Sequence, residues 1–173
     1  MGTLEPGSGI ETLRPITLEL RDGYRFSVDF GLGNVPVLAT DASPPLGQGS
    51  GPDSEMLLMA AVGNCLSASL AFSLRKFRNE DVSMQTIVEG QLSRNERGRL
   101  RIHRIRVSMR LGVPVASLRL AERALAQYED FCVVTQSVRK AIPVEARVFD
   151  SEGILLSPPP SASGETEHVA LGG

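Results

Sequence analysis

Cys65 and Cys132 are the whole thiol inventory of a 173-residue chain, and their surroundings decide what two sulfurs could do. Cys65 sits in MLLMAAVGNCLSASLAF, an apolar run with Asn64 directly before the thiol, and Cys132 sits in EDFCVVTQSVRKAI. One reading is a redox or catalytic pair: a thiolate is a nucleophile, and two thiols within reach close to a disulfide. The other is two small inert hydrophobes, since free cysteines are often buried and a structural disulfide is not expected in a reducing compartment. His103 and His168 have no Cys or carboxylate at ligand spacing, so no metal or other cofactor is expected.

The elements that must carry these thiols follow from patterning. In PITLELRDGYRFSVDF, Ile16, Leu18 and Leu20 alternate with polar residues before Arg21-Asp22-Gly23, and Tyr24, Phe26, Val28 and Phe30 alternate after it, which predicts a hairpin with an Asp-Gly turn. A short strand near Val37 to Thr40 interrupts a Gly/Pro-rich loop of the length that borders functional sites. Pro52-Asp53-Ser54-Glu55 is a helix start, with Asp53 or Ser54 as cap and Glu55 in the first turn, and the helix should run to about Phe77. VSMQTIVEGQLSR and LRIHRIRVSMRLG predict a second hairpin across Asn95 to Gly98, with a phase change at His103-Arg104 that signals a bulge. An amphipathic helix is expected over ASLRLAERALAQY with Leu118, Ala121, Leu125 and Tyr128 on one face. A further helix capped by Asp130 and stopped by Pro143 should follow, then a last strand, VEARVF. The order predicts an α+β fold of antiparallel sheets. The domain is placed at residues 15–156, after an N-terminal extension over 1–14 and before a disordered tail over 157–173 whose Pro, Ser and Gly content is unsuited to a core.

Met56 to Leu74 carries no charge and meets the length of a transmembrane helix. Asn64, Ser67, Ser69 and Ser73 break its apolar surface, no aromatic belt flanks it, and everything around it patterns as a soluble domain, so no membrane span is expected. A helix apolar all round must be buried all round, and two sheets and one other helix hardly enclose it within so short a chain. Ala60, Ala61, Gly63, Ser67, Ala68 and Ala71 would let a partner helix approach closely, which predicts a homodimer with this helix in the interface. The net charge of -2 argues against a nucleic-acid binder, although the cations are sixteen Arg to two Lys. Arg101, Arg104, Arg106 and Arg110 lack stacking aromatics and are expected to be a solvated strand face. The first residues lack a basic stretch followed by an apolar one, so the expected location is cytoplasmic.

The pairing of GPDSEMLLMAAVGNCLSASLAF with EDFCVVTQSVRKAIPVEARV strongly resembles the family of osmotically inducible protein C and organic hydroperoxide resistance protein (OsmC/Ohr). That resemblance spans the region from the first hairpin to the last strand. It implies an intertwined α+β homodimer with sheets around long central helices and active sites at the interface. It implies reduction of organic hydroperoxides, with Cys65 as the peroxidatic nucleophile, Cys132 as the resolving thiol, Glu55 as the carboxylate of the site and Arg21, in the hairpin turn, as the site arginine. An unidentified dithiol would be the reductant. The family often has Pro after the second cysteine, and this chain has Val133.

The chemistry gives independent reasons for those residue types. Peroxides are attacked by thiolate, and a thiol in apolar surroundings holds its proton, so a fixed cation is needed and Arg stays charged in a dry pocket. A carboxylate that orients the guanidinium is a sensible third member. Ten residues at about 1.5 Å rise put Glu55 and Cys65 roughly 15 Å apart on a continuous helix. Either the helix kinks at Gly63-Asn64, or Glu55 and Arg21 come from one subunit and the two cysteines from the other. Two rival functions use the same residues: a non-enzymatic thiol redox sensor, and a dimeric apolar-ligand-binding module with inert cysteines. Leu66, Phe72, Phe131, Val133 and Val134 could line a pocket for an alkyl hydroperoxide or belong to the core. Arg25 is the alternative site arginine, and Asn64 has no assigned role.

Overall fold

The first hairpin forms where the alternation puts it, in a computed structural model that describes residues 11–157. The chain divides into two compact units, one ending at Leu57 and the other starting at Leu58. In the first, β1 (Thr17–Asp22), β2 (Arg25–Asp29) and β3 (Leu38–Thr40) form an antiparallel sheet in that order. The turn is one residue later than the Asp-Gly reading: its central residues are Gly23 and Tyr24, between the paired Asp22 and Arg25. Gly23 has φ 50 and Tyr24 does not share the left-handed region, the pattern of a II′ turn, which asks for Gly at its first central position. Val28 is buried, whereas Leu18 and Leu20 stay exposed. After β3, the buried Asp41 carboxylate gathers the loop by accepting hydrogen bonds from Gln48 N, Ser50 N and Ser50 Oγ.

Asp53 is the cap of α1 (Ser54–Lys76): its Oδ1 accepts a bond from Met56 N at 2.8 Å, satisfying one of the donors a helix start leaves open. Arg75 and Lys76 close the last turn, where cations suit the helix dipole.

In the second unit, β4 (Met84–Arg94) and β5 (Leu100–Leu111) make the long hairpin. Gln91 pairs with Arg104 and Leu92 with Ile102, so His103 is the extra residue of the bulge. The sheet continues through β6 (Val144–Phe149) and β7 (Leu155–Ser157). Here the all-antiparallel expectation gives way, because β5 and β6 are parallel. The connection from Gly112 to Pro143 is the long crossover that parallel neighbours require. The short strand β7 has no counterpart in the sequence reading. Buried Asp150 builds its turn, accepting bonds from Glu152 N and Ile154 N on Oδ1 and from Val115 N on Oδ2. Ser157, read as the start of a tail, ends β7; the rest of that tail and residues 1–10 lie outside the described residues.

Within the crossover, the single helix expected over ASLRLAERALAQY is broken. A 3-10 turn at Val115–Ser117 precedes Leu120 at φ 48, and α2 covers only Ala121–Gln127. The reason is tertiary: the Asn79 side chain accepts from Arg119 N at 2.7 Å and donates to Arg119 O at 2.9 Å, fixing that residue outside any helix. The buried residues of the segment are therefore Ala124 and Tyr128, with Leu118 and Leu125 at the margin. A 3-10 turn at Tyr128–Phe131 leads into α3 (Val133–Val138).

The core lies where α1 crosses β5 and β6. Val62, Leu66, Leu70 and Leu74, at helical spacing, pack with Ile105, Val107, Met109 and Leu111 and with Ala146 and Val148. Burying a side chain of this kind stabilises by about 1.5–3 kcal/mol. Expected to be buried all round, α1 is buried along this stripe, while Met56, Ala60, Ala61, Asn64, Ala68 and Phe72 are exposed. By length and composition α1 could cross a membrane, but the packed stripe is that of a core helix. Gly63 allows its close approach to β4: a Cβ there would lie 2.4 Å from Val88 Cγ2.

Candidate functional site

The second unit brings the two cysteines together. Cys65 is on the margin of the buried stripe of α1 and half-buried, and Cys132 is fully buried at the junction of the 3-10 turn with α3. Their side chains are near enough for Cys65 to perturb the Cys132 thiol, and both are free thiols. The segment carrying Cys132 is laid along α1 by successive contacts. Ser73 Oγ donates to Ala124 O at 2.7 Å, Lys76 Nζ donates to Gln127 Oε1 at 2.8 Å, and the Phe72 and Phe131 rings meet edge to face with centroids 5.3 Å apart. Phe72, Ser73 and Lys76, with Cys65 two turns before Phe72, lie toward one face of α1, which serves this whole contact.

Cys132 itself occupies the N-cap position of α3, in place of the expected Asp130. Its thiol donates to Thr135 Oγ1 at 2.9 Å. The start of a helix favours a thiolate, yet the Cys132 pKa is raised. Burial pushes the thiol up, the neighbouring Cys65 adds to this, and the Thr135 hydroxyl and backbone N–H offset it only in part. Of the residues read as a pocket, Leu66 belongs to the core, while Phe72, Phe131 and Val133 form an exposed apolar patch beside the thiols. Asn64 is exposed and lines a groove of about 370 Å³ with Ala60, Gly63, Ser67, Thr86 and Val88. Through Gly63-Asn64 the helical hydrogen bonding of α1 continues without a break.

Glu55 and Arg21 belong to the first unit. Glu55, exposed in the first turn of α1, accepts a bond from Ser54 Oγ and lines a cavity of about 470 Å³ whose apolar walls include Leu18, Tyr24, Phe26, Leu46 and Leu57. Arg21 is the bulged residue of β1 and lies on the strand, not in the turn. Its guanidinium pairs with Glu19 at 2.8 Å and donates to Ser27 Oγ at 2.9 Å, on the sheet face opposite Leu18 and Phe26. Arg21 and Glu55 are therefore not partners within one chain. Arg25 pairs with Asp22 across the turn at 2.6 Å.

Two features near the thiols escaped the sequence reading. Thr135 is fully buried with its hydroxyl on the Cys132 sulfur, and Arg139 pairs with Glu129 at 2.6 Å across the segment that holds Cys132. Their only sequence signal is spacing from Cys132, three residues either way for Thr135 and Glu129. The arginine-rich strand is partly neutralised: Arg106 and Arg147 both engage Glu145. Burial pushes that carboxyl up, but the two guanidiniums outweigh it and hold Glu145 below the ordinary carboxylate range.

Residues 47–147 match the family of OsmC-like proteins. No curated protein sequence matches the chain. Among solved structures, the OsmC-like protein of Mycoplasma pneumoniae superposes with a TM-score of 0.64 at 14% identity, covering 82% of this chain and 99% of the other. OhrB, the organic hydroperoxide resistance protein of Bacillus subtilis, gives 0.59 at 16% identity over 79% and 98%. An organic hydroperoxide resistance protein of Legionella pneumophila gives 0.58 at 19% identity over 80% and 98%. At these identities the likeness is one of fold.

Proposed function

The chain belongs to the family of OsmC-like proteins, and from that premise we propose that it is a thiol-dependent peroxidase reducing organic hydroperoxides. The observation that carries the reading is the juxtaposition of Cys65 and Cys132 as free thiols, one of them half-accessible and the other buried behind it. The Cys65 thiolate attacks the terminal peroxide oxygen, the O–O bond breaks, and the alkoxide leaves as alcohol after taking a proton, which makes Cys65 a sulfenic acid. Cys132 then displaces water from that sulfur to form the Cys65–Cys132 disulfide, and an external dithiol returns both to thiols. The exposed patch of Phe72, Phe131 and Val133 suits an alkyl or aryl peroxide.

In this reading the protein works as a homodimer in the cytoplasm. The exposed Met56, Ala60, Ala61, Ala68 and Phe72 face of α1 supports a partner copy, because contiguous apolar surface of this kind marks an interface. The partner's first unit would supply Glu55 and Arg21, with about 15 Å of unbroken helix separating Glu55 from the Cys65 of its own chain. Arg21 would exchange its Glu19 contact for the site.

The test is to treat reduced protein with one equivalent of cumene hydroperoxide and follow intact mass and free thiols, beside Cys65→Ser and Cys132→Ser. The expected result is loss of two hydrogens in the wild type, a trapped sulfenic acid in Cys132→Ser, and no change in Cys65→Ser. Survival of both thiols in excess peroxide overturns the reading. A second reading is a redox sensor: a raised Cys132 pKa would slow resolution, and a disulfide that forms but does not turn over with dithiothreitol would select it.

A further inference from the structure

Cys132 reacts second in the proposed cycle, and a fully buried thiol must lose its proton to do so. Three facts meet at this sulfur. Cys132 and Thr135 are both fully buried, the Cys132 thiol donates to Thr135 Oγ1 at 2.9 Å, and Thr135 is held on α3 by the Arg139 N to Thr135 O bond at 3.0 Å. The C-terminal end of the same segment is tied back by the Arg139–Glu129 pair at 2.6 Å, with the Cys132 N to Glu129 O bond closing the loop at 3.1 Å. The hydroxyl is thus fixed on the sulfur from both sides. A threonine hydroxyl can accept from a thiol and, after rotating, donate to a thiolate. A hydrogen bond to an ionised partner is about twice as strong as one between neutral groups, so the contact gains strength as the proton leaves.

We propose that Thr135 is a catalytic residue of the resolving step, its hydroxyl accepting from the Cys132 thiol at rest and donating to the Cys132 thiolate as the disulfide forms; this rests on the peroxidase reading. The step balances within the pair. The Cys132 S–H bond breaks, the Cys65 S–O bond breaks as the sulfur–sulfur bond forms, and the departing hydroxide takes up the proton that Cys132 gives up and leaves as water. Cys132 sulfur is oxidised and the sulfenic sulfur of Cys65 is reduced. The valine side chain has the shape of threonine without the hydroxyl, so Thr135→Val isolates the hydrogen bond, while Thr135→Ser retains it.

The experiment mixes reduced wild type, Thr135→Val and Thr135→Ser with one equivalent of cumene hydroperoxide from about pH 6 to 9. Sulfenic acid is counted by dimedone trapping and disulfide by intact mass. Sulfenic acid forms at one rate in all three. Disulfide closes about tenfold more slowly in Thr135→Val at neutral pH, with its rate–pH profile displaced to higher pH, and within about twofold of wild type in Thr135→Ser. Closure in Thr135→Val at the wild-type rate and pH profile overturns the inference, as does equal slowing in Thr135→Ser, which would make the role one of packing. Absence of sulfenic acid in every protein fails the peroxidase reading instead. A second measurement needs neither turnover nor a Thr135 variant: in Cys65→Ala the single S–H infrared stretch should lie at the frequency of a hydrogen-bonded thiol. A free-thiol frequency there removes the contact on which the proposal stands.

Discussion

Replacing Gly63 by Ala tests how tightly α1 is set against β4. An added Cβ would stand 2.4 Å from Val88 Cγ2, where ordinary contact begins at about 3.4 Å, so helix and strand must separate by about 1 Å or the valine must rotate. Val88 is β-branched and stiff at χ1, and it is paired on the sheet with the fully buried Val107. Overpacking of this kind costs about 1–3 kcal/mol. Against it stands the gain of about 1 kcal/mol when Ala replaces Gly inside a helix. The expected net effect is a loss of about 1 kcal/mol from these two contributions. In a Val88→Ala background the obstructing methyl is gone, and the same change should stabilise by about 1 kcal/mol. Urea denaturation of the four proteins, followed by far-ultraviolet circular dichroism, gives the coupling, expected near 2 kcal/mol. A Gly63→Ala protein as stable as wild type, or an effect of equal size and sign in both backgrounds, would refute the close-approach argument.

Asp41 and Asp150 should make the fold acid-sensitive. At Asp41 the Ser50 N–H leads in lowering the pKa; at Asp150 burial pushes up but the N–H groups of Ile154, Val115 and Glu152 outweigh it. A carboxyl whose folded pKa is depressed contributes stability that is present above its unfolded value, about 3.9, and lost as pH falls through the folded one. The thermal midpoint should therefore fall below about pH 4, with a shallower slope in Asp150→Asn, and a slope unchanged by that substitution would count against the assignment. Asn79→Ala removes both bonds to Arg119 and leaves two part-buried backbone groups without their partner. It should cost about 1–3 kcal/mol in the same urea assay, and a change under about 0.5 kcal/mol would show that water replaces the amide.

The thiol pair was legible in the sequence because each cysteine sits in a long, distinctive context, and the helix start was legible because Asp53 caps by local chemistry alone. The His103 bulge was legible too, since a phase change of period two has few other causes. The parallel pairing of β5 and β6 was not, because periodicity reports which face of a strand is buried and says nothing of its direction. The broken helix over residues 116–128 was hidden for a different reason: Asn79, far upstream in sequence, overrides a good helical pattern. Thr135 looked like any helical threonine, and only the buried geometry distinguishes it. Arg21 was read into a turn that forms one residue later, and a bulge on β1 turns its side chain to the Glu19 and Ser27 face.

The parallel crossover also sets an order of events as the chain is made. Cys65 leaves the ribosome with α1, but its sulfur neighbour follows only after 67 further residues, at about 5–20 residues per second roughly 3–13 s later. The crossover that carries Cys132 closes only when β6 has aligned beside β5, a long-range pairing of the slow kind. A nascent chain thus presents a solitary thiol for seconds, with nothing to close a disulfide against. Until Cys132 arrives, Cys65 has no second thiol in its own chain with which to pair.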